Sequence, residues 1–552
     1  MNKIIFILFF LFFVSAVFPQ EGRKPLPKSW ELNLTDTPEI VQLSPLEMES
    51  IRKEDSINDH NKNTAWRFGI KRDLNLNLKK DGLWTQQPNG GSICRLAIKS
   101  VGALSMSINF SAFNLPRGTI LQLYNNERTT VSATFLGADS RSSNLLGSDL
   151  ISGDTVYIEY YAPASVTQSP DIQIQSIVHG YRMDALDGSN MEGNKLNGSG
   201  PCNYDVNCPI GADFDSQKEI LKKSVAFVNL GNGYLCTAVL VNNTAADKTP
   251  YLLTANHCLT NSNPAFWSVR FNWVSPRPIC GTGEDSGDVQ NNFTLSGAAL
   301  VANNTLSDFA LVKLFEKIPE SWDVSFAGWD NSDVDPLFEV GIHHPNGDIM
   351  KVCRDNSGAQ KTDANGTKVW LIGGGEHGSG NGWEIGTTES GSSGSPLFNE
   401  QGKIIGQLYA GQSSCLGTST NHDYDIYGRF GISWDTGNST ESRLKEWLDP
   451  IGSGQSTMET LQNILNVPSF ETLGDLKIYP NPANTLLTIQ NSRYPHLGYQ
   501  LMDMMGKEIS SGSVSNTMNT ISVEGLAEGI YLLHLVDGDS NDSVNKKIVV
   551  KR

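Results

Sequence analysis

Between residues 21 and 195 polar and apolar positions alternate in short runs, the period-two pattern of strands with one buried face. Ser105-Met106-Ser107-Ile108-Asn109-Phe110 and Asp154-Thr155-Val156-Tyr157-Ile158-Glu159-Tyr160-Tyr161 are two such runs, and Gly, Asn and Pro turns divide them. The middle of the chain has a different texture. Short apolar runs recur there: Ser224-Val225-Ala226-Phe227-Val228, Thr237-Ala238-Val239-Leu240-Val241, Phe309-Ala310-Leu311-Val312-Lys313-Leu314 and Ile404-Ile405-Gly406-Gln407-Leu408-Tyr409. With turn residues between them they predict buried strands of a sandwich or a pair of barrels. Residues 440–449 predict a short amphipathic helix carrying Leu444, Trp447 and Leu448, stopped by Pro450 and Gly452. From residue 472 onward a further small β module follows. The expected class is all-β.

Two composition shifts mark boundaries. The soft stretch from Asp187 to Gly200 reads as an exposed, cleavable linker. The predicted organisation is 1–20, 21–195, 196–460, a linker at 461–471, and 472–552. At 552 residues the chain exceeds one hydrophobic core, as this division requires. Residues 1–20 read as an export signal: Lys3 supplies a positive charge, Ile4 to Val14 is unbroken apolar sequence, and Val14-Ser15-Ala16 ends in small residues. The apolar run is shorter than the ~20 residues of a spanning helix, so cleavage between Ala16 and Gln20 is expected. A formal net charge of −17 argues against nucleic acid, which needs a basic face.

Export changes the reading of the eight cysteines, because an oxidising compartment favours disulfides. Cys94 stands alone in the first third. Cys202, Cys208, Cys236, Cys258, Cys280 and Cys415 fit three disulfides, with Cys353 left over, and spacing alone does not choose the connectivity. The short Cys-x-x-Cys spacing of zinc sites is missing, so neither metal nor cofactor is expected.

Three motifs carry chemistry. A serine hydroxyl attacks a carbonyl at neutral pH by passing its proton to a base. His257, in Thr254-Ala255-Asn256-His257-Cys258, is the candidate base. Asp308, just ahead of an apolar strand, would hold its tautomer and stabilise the imidazolium. Ser393, in Gly391-Ser392-Ser393-Gly394-Ser395-Pro396, is the candidate nucleophile. Its small neighbours let the Gly391 and Ser393 N–H groups converge as an oxyanion hole. The order His, Asp, Ser is that of chymotrypsin-like proteases, and the Gly-x-Ser-x-Gly elbow fails because Ser395 stands at its last position. A Gly/Ser linker would explain neither His257 nor Cys258. His343 and His344 on one strand face opposite ways and cannot readily share a metal, and His377 reads as a loop residue.

Further runs make the pattern specific: Cys202-Asn203-Tyr204-Asp205-Val206-Asn207-Cys208-Pro209, Val241-Asn242-Asn243-Thr244, Ala327-Gly328-Trp329-Asp330, Ile342-His343-His344-Pro345 and Tyr427-Gly428-Arg429. With them, residues 200–450 resemble the secreted bacterial lysyl endopeptidases of the chymotrypsin superfamily. The resemblance implies a double β-barrel with a C-terminal helix, preceded by a β-rich propeptide. It implies the disulfides Cys202–Cys415, Cys208–Cys280 and Cys236–Cys258. Thr387 occupies the position six before the nucleophile where trypsin-type enzymes carry their pocket aspartate; the resemblance places that acid at Asp425 instead, with Asp423 as a close competitor. Ser413, Trp370 and Tyr409 are the other substrate-binding candidates. Tyr409 stands where the family pattern has a histidine beside the catalytic imidazole, near the tryptophan matched by Trp370. Ser392 replaces the aspartate that pairs with a new N-terminus in trypsin-like zymogens, so restraint by the propeptide is expected in place of that ion pair.

The tail, with Leu476-Lys477-Ile478-Tyr479-Pro480-Asn481-Pro482-Ala483-Asn484, Gly506-Lys507, Gly529-Ile530-Tyr531-Leu532-Leu533 and Lys546-Lys547-Ile548-Val549-Val550-Lys551-Arg552, resembles the C-terminal sorting domain of type IX secretion cargo. The sequence thus predicts a secreted, monomeric serine endopeptidase that cleaves peptides and proteins after lysine and meets the type IX machinery as a partner. Lys195, ahead of the expected mature start at Leu196, would suit self-cleavage. The alternatives are a preference for Arg or Glu on the same fold, and an inactive protease-like surface adhesin.

Overall fold

The computed structural model describes residues 26–59, 61–128, 131–137, 143–183, 198–282, 293–374, 377–378, 380–415, 423–462, 476–491, 496–503, 507–514, 518–537 and 543–552. The export segment, Lys195 with the linker as far as Asn197, and residues 463–471 lie outside them. The chain divides into two compact units, one reaching Ile318 and resuming over Val324–Gln462, the other holding Pro319–Asp323 and the chain from Asn463 to Arg552.

In the first unit the alternating runs become two sheets. One orders Ile40–Leu43, Ser92–Ser100, Thr155–Ala162, Ile120–Asn125 and Val131–Leu136; the other orders Ile151–Ser152, Ser105–Asn114, Asp171–Gly180 and Gly69–Asn77. Leu96, Ile98, Leu121 and Ile158 of one sheet share a fully buried core with Ile108, Phe110 and Ile174 of the other, which is what alternation with one apolar face demands. A helix, Met48–Asn58, follows the first of these strands, and Trp66–Arg67 pairs instead with Tyr234 and Leu235.

The middle of the chain builds two further sheets, one of seven strands to which Trp66–Arg67 adds an eighth, the other of eight. The first contains Val225–Asn229, Tyr234–Val241, Tyr251–Ala255 and Phe309–Leu314; the second contains Glu339–His343, Pro396–Asn399, Ile404–Gly411 and Asp425–Arg429. They share a core in which Val239, Leu253, Phe309 and Leu311 pack in one cluster with Val340, Ile342, Phe398 and Ile404. Such strands are covered on both faces, so they read as continuous apolar runs and do not alternate. The all-β expectation is met. The predicted helix at 440–449 is shorter than its pattern: Thr440–Ser442 forms a 3-10 turn, Arg443 is extended, and only Lys445–Leu448 is α-helical. Its apolar spacing survives because Leu444 and Leu448 are both buried in the shared core.

The second unit is a small all-β body. Leu476–Tyr479, Leu486–Asn491 and Met518–Ser522 form one sheet, and Glu508–Val514, Leu497–Asp503, Gly529–Asp537 and Ser543–Val550 form another. Leu487, Ile489, Leu501, Leu533 and Ile548 are buried together between them.

Candidate active site

Strand register brings His257 to Asp308. Tyr251–Ala255 pairs antiparallel with Phe309–Leu314, so Ala255 faces Phe309 and the residues just beyond meet, with Asn256 N–H on the Asp308 carbonyl at 2.7 Å. His257 sits in a single 3-10 turn, Asn256–Leu259, at that strand end. Asp308 adopts φ +53, a conformation aspartate tolerates better than most residues. Its carboxylate, 4% exposed, accepts from His257 N–H at 3.1 Å through Oδ1 and meets His257 Nδ1 at 2.8 Å through Oδ2. That contact fixes the ring and leaves Nε2 as the nitrogen open to a further partner. The Cys236–Cys258 disulfide ties the same turn to the neighbouring strand.

Ser393 lies in the loop entering Pro396–Asn399, and this loop is laced to the first sheet. Thr237 donates through its N–H to the Ser393 carbonyl at 2.8 Å and through its hydroxyl to the Gly391 carbonyl at 3.0 Å. Gly391 and Gly394 have φ +92 and +80. A Cβ at Gly394 would stand 2.1 Å from Thr254 Oγ1 and 2.6 Å from the Thr237 carbonyl, so only glycine lets the two loops close. Among the described residues no acceptor pairs with the N–H of Gly391 or Ser393. The Ser393 hydroxyl donates at 3.2 Å to the carbonyl of Lys62, and His257 Nε2 is buried with no partner among the described residues. Tyr409 stands with its ring centroid 6.4 Å from that of His257, tilted by 52°.

Beside Ser393 is a closed polar pocket. Asp425 is fully buried at the head of Asp425–Arg429. Its Oδ2 accepts from Trp383 Nε1 at 2.7 Å, Thr388 Oγ1 at 2.7 Å and Ser413 Oγ at 2.5 Å. Its Oδ1 pairs with the ammonium of Lys62 at 2.9 Å, and this ammonium also donates to Thr388 Oγ1 at 3.0 Å and Ser413 Oγ at 2.5 Å. A Cβ at Gly411 would overlap Asp425 Oδ1 at 1.8 Å, so glycine there makes room for the carboxylate. Asp423 instead accepts from the adjacent Tyr424 N–H at 2.9 Å. Burial, then the Asp425 charge, push the Cys353 thiol well above its ordinary range, which leaves it a packed, inert group.

The remaining candidates fall as follows. Cys202–Cys415, Cys208–Cys280 and Cys236–Cys258 are bonded, the pairs the resemblance implies, while Cys94 and Cys353 are free and buried. Trp370 is fully buried within the second sheet, its indole N–H on the Ile405 carbonyl and its ring flanked by Lys361 and Arg429. The indole on Asp425 belongs to Trp383, which no sequence motif marks. Thr388, adjacent to the position where trypsin-type enzymes carry their aspartate, was the nearer signal. Ser392 hydrogen-bonds His343 Nδ1 at 2.7 Å, and His344 Nδ1 meets the Asp348 carbonyl at 3.0 Å, so the two histidines have separate partners.

Comparison with known proteins follows these features along the chain. Residues 40–181 match the lysyl endopeptidase N-terminal domain, residues 196–428 the lysyl endopeptidase C-terminal domain, and residues 477–551 the secretion system C-terminal sorting domain. The chain belongs to the lysyl endopeptidase family. The lysyl endopeptidase of Pseudomonas aeruginosa PAO1 is 25% identical over 356 residues, covering 62% of this chain and 74% of that protein. Among solved structures, Rv3671c from M. tuberculosis H37Rv aligns at 12% identity and TM-score 0.25 over 40% of this chain and 85% of its own. Deg5 aligns at 13% identity and TM-score 0.22 over 38% and 88%. This lysyl endopeptidase relative is therefore a serine endopeptidase acting on peptides, carries a sorting domain for the type IX machinery, and is secreted or held at the cell surface.

Proposed function

We propose that the chain hydrolyses peptide bonds on the carboxyl side of lysine, with Ser393 as nucleophile, His257 as general base and acid, and Asp308 as the group that orients His257. The observation that carries the reading is a lysine already seated in the pocket: Lys62 places its ammonium on Asp425 while its own carbonyl meets the Ser393 hydroxyl. In catalysis His257 Nε2 takes the Ser393 proton as Oγ attacks, the N–H groups of Gly391 and Ser393 receive the oxyanion, and the imidazolium then protonates the leaving amine. Water, deprotonated by the same nitrogen, releases the acyl group.

The pocket's hydrogen bonding favours lysine over arginine. An ammonium directs three donors, and here Asp425 Oδ1, Thr388 Oγ1 and Ser413 Oγ accept them. A guanidinium fork wants both oxygens of one carboxylate, but Oδ2 is already engaged by Trp383, Thr388 and Ser413. A neutral side chain leaves Asp425 buried and unpaired, at a cost on the order of 3–5 kcal/mol. The test is a digest of denatured protein by the processed enzyme, with cut sites mapped by mass spectrometry. Cuts confined to the carboxyl side of lysine support the reading. Cuts after glutamate remove the Asp425 assignment, and comparable cutting after arginine removes the selectivity.

A further inference from the structure

The residue in the pocket belongs to the pro-region, and its backbone is not laid out as a substrate's. A peptide bound for cleavage lies extended and pairs edge-on with the enzyme. Residues around Lys62 instead turn: Asn61 Oδ1 accepts from Asn63 N–H at 3.3 Å and the Asn61 carbonyl accepts from Thr64 Oγ1 at 3.2 Å, a side-chain-capped turn centred on Lys62. The Lys62 carbonyl oxygen accepts a hydrogen bond from the Ser393 hydroxyl at 3.2 Å, so the hydroxyl points at that oxygen and His257 Nε2 has no partner among the described residues. The side chain meets every requirement of the pocket, while the Lys62 carbonyl oxygen is held by the Ser393 hydroxyl and by neither N–H of the proposed oxyanion hole among the described residues.

The turn is held from both ends. Before it, the Asp59 carbonyl accepts from Ser390 Oγ at 2.7 Å, in the nucleophile loop itself. After it, Trp66–Arg67 joins the strand Tyr234–Val241. An ion-pair network braces the two: Asp55, buried on the helix Met48–Asn58, meets Arg67 at 2.7 Å, Arg182 at 2.5 Å and the Tyr181 hydroxyl at 2.6 Å, and Asp59 pairs with Arg182 at 2.8 Å. Lys62 is thus 5% exposed although its neighbours Asn61, Asn63 and Thr64 are on the surface.

We propose that Lys62 is a built-in pseudosubstrate: the pro-region silences the precursor by filling the lysine pocket with its own lysine, in a turn that presents no cleavable bond. This rests on the lysine-pocket reading above. Latency is then competitive occupation of a finished site, matched to the enzyme's own specificity.

The test uses the full precursor in a Lys195→Gln background, which removes the expected linker cut, with and without Lys62→Ala and Lys62→Gln. The readouts are labelling of Ser393 by a fluorophosphonate and hydrolysis of a small lysyl ester while the chain is intact. Both variants are expected to react roughly tenfold faster or more than the unaltered precursor, the scale of losing a buried charge pair. Unchanged rates in variants that melt with the parent overturn the proposal. A second measurement needs no change at Lys62: a Ser393→Ala precursor is digested with processed wild-type enzyme. Protection of the Lys62–Asn63 bond while other lysines are cut supports the proposal; cutting there as fast as elsewhere overturns it. If the processed enzyme does not cut after lysine, the pocket reading falls and takes the proposal with it. If it does and the precursors behave alike, the pseudosubstrate alone falls.

Discussion

Asp425→Asn isolates the charge of the pocket at almost no change in volume. In the structure Oδ2 accepts from Trp383, Thr388 and Ser413, so an amide must keep its carbonyl oxygen on that side. Its NH2 group then falls where Oδ1 lies 2.9 Å from an ammonium. Donor meets donor, and a charge-assisted bond is exchanged for repulsion in a site screened from water. Removing one partner of a buried, hydrogen-bonded charge pair costs about 2–5 kcal/mol. At ~1.4 kcal/mol per factor of ten this is a loss of roughly thirtyfold to several thousandfold in kcat/KM on lysyl substrates. Progress curves with matched lysyl and norleucyl amides on the processed enzyme measure it, and fluorophosphonate labelling of Ser393 should stay near wild type because that probe needs no basic side chain. The norleucyl substrate should hold steady or improve, since its neutral side chain no longer strands a carboxylate. A loss below about threefold on lysine, or an equal loss on both substrates, would refute the reasoning and return the role to another acid.

Three other outcomes follow from the geometry. Asp308→Asn should fold, because asparagine accepts the φ of +53, but should lower kcat by about four orders of magnitude, as an amide no longer fixes the imidazole tautomer; steady-state kinetics with a circular-dichroism control tests this. Gly394→Ala should cost activity and stability together, at least about 1–3 kcal/mol for the φ of +80, since its Cβ would also stand 2.1 Å from Thr254 Oγ1; a urea melt that matches wild type contradicts it. His343 and His344 are buried as neutral rings, burial driving both pKa values down, that of His344 to about 3. The unfolded chain, with ordinary histidines near ~6.5, takes up protons that the folded chain refuses, so stability present above that pH is lost as pH falls below it, for His344 down toward about 3, at up to about 1.4 kcal/mol per pH unit for each ring. Urea melts of the processed enzyme between about pH 7 and 5 should show this slope, and His344→Gln should remove one share of it.

The triad candidates were legible because their geometry is local. Thr254-Ala255-Asn256-His257-Cys258 carries the strand, the turn and the half-cystine in consecutive residues, and the glycines around Ser393 are demanded by positive φ and by contacts that a Cβ would break. Asp425 and Asp423 share a strand parity, so a period of two could not separate them; what does is the missing side chain at Gly411, a neighbour across the ladder. Trp383 was hidden behind the glycine-rich stretch before it, and no local pattern sets its indole N–H on Asp425. Lys62 had no signal at all. It lies in the polar run Asp59-His60-Asn61-Lys62-Asn63-Thr64, and its burial comes from partners 326 to 363 residues away. The helix at 440–449 was overextended for the opposite reason: its apolar spacing was right, but the reciprocal Ser439–Ser442 cap closes a 3-10 turn that Arg443 breaks.

Specificity and latency meet in one carboxylate. A zymogen that matures by inserting a new N-terminus needs a deformed nucleophile loop to repair, and here that loop is already formed. Gly391 and Ser393 are bonded to Thr237, Asn346 N–H holds the Ser390 carbonyl at 2.6 Å, and Ser392 is occupied by His343. The pocket is likewise complete, with Trp383, Thr388 and Ser413 already aligned on Asp425. A finished site can be kept silent only by something that fits it. On the proposed reading the occupant that fits a lysine pocket is itself a lysine, and the turn at Asn61 separates its recognition from its hydrolysis. On the same reading release requires only the departure of the pro-region, and a substrate lysine would enter a pocket whose contacts were set before activation.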